Sequence, residues 1–250
     1  MKTIGLLGGM SWESTVLYYQ QINKMIHSKL GKLHSAKVII NSVDFEEIAA
    51  LQSKGLWQEA GAYLAEQALN LEKAGADCVL VCTNTMHKIA PQIEEAITVP
   101  FIHIADATAK EILSQNIGKV ALLGTAFTME QDFYKARLAE SGIEVMIPSE
   151  ENRKIVHKVI YEELCLGIIN SDSKQKYMAI VEELIAQGAE GVILGCTEIC
   201  MLIGEVKFSV PLFDTTAIHA KEAVSFSLNE SKNPNRANLN ITAATVGNTV

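Results

Sequence analysis

The sequence predicts an α/β fold in two pseudosymmetric halves, each built on a mainly parallel sheet, with the site in the cleft between them. Three observations carry this. Residues 188–199 read Gly-Ala-Glu-Gly-Val-Ile-Leu-Gly-Cys-Thr-Glu-Ile, and residues 75–85 are a near copy, Gly-Ala-Asp-Cys-Val-Leu-Val-Cys-Thr-Asn-Thr. In each, a helix-ending Gly leads into a short apolar run that ends on a Cys-Thr pair, the pattern of a buried strand handing over to a helix. Two further pairs recur in the same order, 4–9 with 120–125 and 99–103 with 210–214. Matched positions Gly8 and Gly124, Cys82 and Cys196, and Val99 and Val210 stand 116, 114 and 111 residues apart, as a duplicated unit with small insertions and deletions requires. In open parallel sheets ligands collect beyond the carboxyl ends of strands. Halves facing each other would therefore set Cys82 and Cys196 on opposite sides of one cleft.

Taken in order, residues 3–7 read as the first strand, and Gly8 and Gly9 let the backbone turn sharply and approach a ligand. Ser11 is placed to cap a helix running to about residue 30, whose free N–H groups suit an anion such as a carboxylate. A second strand is expected at 37–43, then a loop entering a helix at 44–54. Residues 57–74 form an amphipathic helix, with Ala60, Leu64, Ala68 and Leu71 on one face and Gly75 ending it. After Cys82, the residues Thr83, Asn84 and Thr85 offer hydroxyls, an amide and backbone N–H groups at the start of a short helix limited by Pro91. The spacing predicts strands at 99–104, 119–124, 143–147 and 206–214. Helices are predicted from a Thr128–Gln131 capping box through residue 138, at 154–169, at 173–187 and at 216–227, the last packing on the first domain. Residues 1–115 with 212–228 make one domain and 116–211 the second; residues 229–250, rich in Asn, Thr and Ala, form a tail expected to be poorly ordered or pinned by a neighbour.

Composition narrows the function classes. A chain of 250 residues that is 48% hydrophobic can fill two cores. A net charge of −8 without a basic stripe excludes a nucleic-acid surface. The apolar run at the amino terminus is too short for a signal peptide and no stretch approaches a membrane span, so a cytoplasmic protein with no membrane partner is expected. Five cysteines are an odd number for a disulfide framework. The two Cys-x-x-x-Cys spacings do not make a zinc site, because Cys78 and Cys82 on one strand stand about 13 Å apart. Cys78, Cys165 and Cys200 read as small core residues. His87 reads as a surface or packing residue, and His103 as either structural or an electrostatic influence on the cleft.

The motifs at residues 8–14, 82–87, 103–108, 161–164 and 195–199 together resemble the aspartate/glutamate racemase superfamily, and most closely its aspartate racemase branch, which includes broad-specificity amino-acid racemases. The resemblance spans roughly residues 1–228. It implies two Rossmann-like domains, a catalytic pair Cys82 and Cys196, and no cofactor: neither pyridoxal phosphate nor a metal. It implies a small-molecule amino-acid substrate touched by Met10, Ser11, Thr83, Asn84, Thr85, Thr125, Thr197 and Glu198, and a homodimer. Glutamate racemases carry an acid where Met10 stands and a His where Glu198 stands, so both positions select the aspartate branch. The absence of Lys and Arg from residues 44–53, where aspartate-specific relatives are expected to hold a side-chain carboxylate, favours a broader amino-acid range. Thiols suit proton transfer at an α-carbon, since an ordinary pKa of ~8.5 permits a thiol and a thiolate near neutral pH. Hydantoin racemase-like or maleate isomerase-like chemistry, or a non-catalytic amino-acid sensor, remain the alternatives.

Overall fold

In the computed structural model residues 1–229 are described, as two parallel sheets wrapped by helices. The first half runs β1 (Ile4–Gly8), α1 (Trp12–Leu30), β2 (Val38–Ser42), α2 (Phe45–Ser53), α3 (Trp57–Lys73), β3 (Cys78–Val81), a 3-10 helix (Thr85–Ile89), α4 (Ala90–Ala96) and α5 (Ile104–Ser114). The second runs β4 (Lys119–Gly124), α6 (Ala126–Glu130), α7 (Asp132–Glu140), β5 (Glu144–Met146), α8 (Glu150–Glu162), a 3-10 helix (Leu164–Leu166), α9 (Ser171–Ala186), β6 (Val192–Gly195), α10 (Ile199–Ile203), β7 (Leu212–Asp214) and α11 (Thr215–Ser227). The sheets order as β2-β1-β3 and β5-β4-β6-β7, and every pairing is parallel. No described helix is long and apolar enough to cross a membrane.

The duplication is visible in the pairing: β1 lies between β2 and β3 as β4 lies between β5 and β6. The expected strands at 99–104 and 206–214 are much shorter than their apolar patterns suggest. The first is reduced to a bridge between Val79 and Phe101, and the second to Leu212–Asp214. Pro100 and Pro211 interrupt both, since proline gives no N–H to a ladder. Their carbonyls still accept at matched places, from Val79 N and from Val192 N, each at 3.0 Å.

Helix starts follow side-chain capping. Ser11 accepts from Ser14 N at 3.2 Å, a cap worth ~1 kcal/mol. α1 then buries Tyr18, Ile22 and Ile26 at helical spacing, and truncating either Ile to Ala would cost about 2–5 kcal/mol. In the second half the cap is Thr125, not the expected Thr128. Thr128 N donates to Thr125 Oγ1 at 3.3 Å, and α7 starts separately after Gln131. The predicted helix at 154–169 is α8, begun earlier by its Ser149 cap and ended before Gly167, which takes the left-handed conformation at φ 73°. Gly9 also needs its freedom: at φ +93° a Cβ there would meet the Val43 carbonyl oxygen.

The two halves exchange helices. One face of the first sheet (Ile4, Leu6, Cys78, Leu80) packs under α1 and under α11 through Ala220, Ala223 and Val224. α11, as expected, closes the first domain although it follows the second sheet. The reciprocal crossing was not expected: α5, from the first half of the chain, lays Ile104, Ala105, Ala109 and Ile112 on Val120, Leu122, Ile193 and Phe213 of the second sheet. β7 likewise pairs with β6. By packing, residues 104–114 and 212–214 lie with the second sheet, on the far side of the expected boundaries at 115 and 212. The remaining faces are covered locally, by α2 and α3 on the first sheet and by α8 and α9 on the second. The expected tail lies, from residue 230 on, outside the described residues.

Candidate active site

β3 ends at Val81, opposite Leu7, and β6 one residue further on in the matched register, at Gly195 opposite Gly124; the residues that follow are Cys82 and Cys196, so that Cys196 stands at the place of Thr83. The pocket beyond them takes Met10, Ser11, Phe45, Gln52, Thr83, Asn84 and Thr85 from the first half, and Thr125, Ile160, Tyr161, Cys165, Cys196, Thr197 and Glu198 from the second. All eight residues expected to touch a substrate line it, and so does one of the two thiols. Cys82 does not. Period-two alternation on β3 sends Cys78, Leu80 and Cys82 to the face under α1 and α11, and Cys82 is fully buried.

A hydrogen-bond network ties the two Cys-Thr turns together. Ser14 Oγ has one hydrogen and gives it to the Cys82 carbonyl at 2.6 Å, so Thr197 Oγ1, 2.8 Å away, is the donor to Ser14. Across the pocket Thr85 Oγ1 lies 3.0 Å from Thr125 Oγ1, which is 3.2 Å from Thr128 Oγ1. Every one of these hydroxyls is buried. The Gly9 N–H donates to Thr15 Oγ1 at 2.8 Å.

The symmetry breaks two residues after each cysteine. Glu198 accepts from Cys196 Sγ at 2.9 Å through one carboxylate oxygen and from Ser11 Oγ at 2.8 Å through the other. Two residues after Cys82 stands Asn84. Its Nδ2 donates at 3.1 Å to Thr215 Oγ1, whose own hydrogen goes to the Leu194 carbonyl. Asn84 Oδ1 is left buried without a partner among the described residues, an acceptor in the pocket lining awaiting a donor. Cys196 therefore faces a carboxylate, while the residue two places after Cys82 is a neutral amide.

Burial pushes both thiols well above their usual range, since a thiolate loses hydration inside the protein. For Cys196 the neighbouring Glu198 charge adds to this, and the Glu198 backbone N–H opposes it by bonding the sulfur. Cys165, expected in the core, lines the pocket and is pushed up to about 12 by burial. Glu198 is the one charged side chain among the described lining residues; no Lys, Arg or His is among them. No group of three His, Cys, Asp or Glu among the described residues could hold a metal.

Phe45, Gln52, Ile160, Tyr161 and Cys165 were not named individually as lining residues, although Phe45 and Gln52 fall in the 44–53 stretch expected to face the substrate side chain. Phe45 follows β2 directly, so the strand-end rule that found Ser11 could have found it. Tyr161 lay in a motif already singled out. Gln52 gave no local signal: it is buried, and its amide donates to Met86 Sδ.

The family model described as Asp/Glu/Hydantoin racemase matches residues 7–223. A crystal structure from Yersinia pestis, assigned provisionally as an Asp/Glu racemase, is 54% identical with a TM-score of 0.86, covering 91% of this chain and 100% of that one. An aspartate racemase homologue from Pyrococcus horikoshii OT3 is 35% identical with a TM-score of 0.81, covering 91% and 100%. The broad specificity amino-acid racemase RacX of Bacillus subtilis (strain 168) is 27% identical over 237 residues, 89% of this chain and 96% of that one.

Proposed function

The chain belongs to the Asp/Glu/Hydantoin racemase family, and from that premise we propose that it racemises free amino acids by proton transfer between two thiols, without pyridoxal phosphate or a metal. The observation that supports this best is the pocket shared by both halves beyond the strand ends: Cys196 opens on it, and Cys82 is buried next to Thr83 of the first half's lining. The reaction breaks the α-C–H bond on one face and forms it on the other, which needs a base and an acid on opposite sides.

In this reading the Glu198 carboxylate accepts the Cys196 proton. The thiolate takes the α-proton of one enantiomer, and the C–H electron pair moves onto the substrate carboxylate as an enolate-like intermediate. Cys82 supplies a proton to the other face and is left as the thiolate. The opposite enantiomer runs the sequence backwards; by resemblance, Cys196 serves the L-form. The intermediate is held by Thr83, Thr125 and the N–H groups of the 83–85 turn, while Ser11 and Thr197, whose hydroxyl hydrogens go to Glu198 and Ser14, line the pocket beside it, and the Asn84 Oδ1 acceptor takes the substrate ammonium. Cys82 must turn into the pocket when substrate is seated. A pocket whose charge comes from Glu198 favours amino acids with neutral side chains over a strict preference for aspartate.

The test is α-proton exchange in heavy water, followed by NMR for aspartate, glutamate and a panel of neutral amino acids, with reductant and no added cofactor. Exchange with appearance of the opposite enantiomer is expected, and Cys82→Ser and Cys196→Ser should each abolish full racemisation. Unimpaired turnover in either variant would overturn the two-thiol reading. The burial of Cys82 favours, as second reading, a protein that binds amino acids without turning them over; binding with no exchange would select it.

A further inference from the structure

The inward stripe of α2 carries Phe45, Ile48 and Gln52 at helical spacing. Phe45 and Ile48 pack into the core of the first half. One turn on, where an apolar residue would extend that core, stands a carboxamide that is 6% exposed. Stability alone disfavours a buried amide without good partners.

The partner Gln52 has is a poor one. Its Nε2 donates to Met86 Sδ at 2.8 Å, and a thioether is a weak acceptor. Sulfur can only accept there, so the amide nitrogen faces it and Oε1 turns away. The second hydrogen on Nε2 and the acceptor Oε1 have no partner among the described residues. Gln52 thus brings to the pocket lining one donor and one acceptor, both unused.

The rest of the lining shows what would meet them. With the substrate ammonium on Asn84 Oδ1, its carboxylate on the 83–85 turn and its α-carbon beside Cys196, the first half still offers Met10, Phe45 and Gln52. Met86 directly follows that turn, so its contact holds the Gln52 amide close to the place of the substrate. Met10 and Phe45 are apolar, and Gln52 is the polar group of the three.

We infer that Gln52 reads the substrate side chain, and that the site takes amino acids whose side chain ends in a carboxamide. The inference rests on the racemase reading, which places the α-carbon, and it names the substrate class of that site. A carboxamide matches the Gln52 amide group for group: its NH2 donates to Oε1 and its carbonyl accepts from Nε2. A carboxylate brings two acceptors, one of which meets Oε1, and a negative charge that no cation in the described lining offsets. An apolar side chain leaves both ends of the buried amide unpaired.

The test uses two sets of amino acids matched in shape: leucine, asparagine and aspartate, and methionine, glutamine and glutamate. For α-proton exchange by the full-length enzyme, kcat/KM is expected to be about tenfold higher for the carboxamide than for either companion in one set or both. Gln52→Met keeps the length of the side chain and removes the amide. It should bring the ratio of carboxamide to apolar substrate to within about twofold of one, mainly through KM. Because the ratio compares two substrates of one enzyme, a general loss of folded or active protein cancels from it.

A ratio that Gln52→Met leaves unchanged would overturn the inference. So would a wild type that prefers the carboxamide in neither set, a result that needs no variant. If no amino acid exchanges its α-proton, the racemase reading fails by itself, and thermal shifts with the same compounds decide the inference. Stabilisation greatest for a carboxamide upholds it; equal or absent stabilisation overturns it.

Discussion

Replacing Glu198 by Gln tests the asymmetry between the two thiols. The substitution keeps the shape of the side chain but removes the charge that accepts from Cys196 Sγ at 2.9 Å and from Ser11 Oγ at 2.8 Å. Glu198 is 3% exposed, so solvent does not replace the lost partner. A hydrogen bond to a charged group is worth about 1.5–3 kcal/mol, and each 1.36 kcal/mol is tenfold in rate, so kcat/KM should fall about ten- to hundredfold. Because enantiomers are equally stable, the fall must be the same in both directions. The isotope effects need not match: the effect on the enantiomer deprotonated by Cys196 should rise and the other should fall. Chiral chromatography of timed samples, starting from each pure enantiomer with and without α-deuterium, measures all four quantities. A Glu198→Gln enzyme within about twofold of the wild type would refute the view that this carboxylate receives the Cys196 proton.

Three further outcomes are expected. Burial holds His219 at about 4 and His103 at about 3. An unfolded histidine protonates near 6.5, so the unfolded chain gains protons that the folded one refuses as pH falls below that value. Their contribution to stability is complete above pH ~6.5 and declines below it, by up to ~1.4 kcal/mol per pH unit for each ring. Urea unfolding at pH 7 and pH 5 measures this, and equal stability at both would contradict it. Iodoacetamide with peptide mapping should modify Cys196 before Cys82, because only Cys196 reaches the pocket; the reverse order would place Cys82 at the surface of the cleft. Neutral amino acids should compete with aspartate for turnover, since no cation lines the described pocket; turnover confined to aspartate would reject that reading.

The parts of the fold readable in the sequence are those set by local pattern. Apolar runs bounded by glycines located β1, β3, β4 and β6, and the residue after β3 or β6 is in each case a cysteine followed by threonine. The duplicated spacing located the pocket, because parallel sheets expose their carboxyl ends together. Long-range choices were not readable. Nothing in residues 104–114 says that Ile104 and Ile112 pack on Val120 and Leu122 rather than on the nearer sheet. Side-chain direction was also hidden: the alternation that buries Cys78 buries Cys82 with it, while Cys165, packed against the second core, also lines the pocket. His87 reads in sequence as a surface or packing residue, and only the meeting of three elements shows that it packs.

The exchange of helices sets the order in which a growing chain can fold. Translation releases residues in sequence, and N-terminal domains ordinarily fold as they emerge. Here Ile4, Leu6 and Leu80 wait for Ala220, Ala223 and Val224, the last described helix to leave the ribosome. A nascent chain halted after Asp214 would carry both sheets but expose an apolar face of the first, a target for chaperones. Completion of α11 would close the first core last, so the half that begins the chain is the last to be finished.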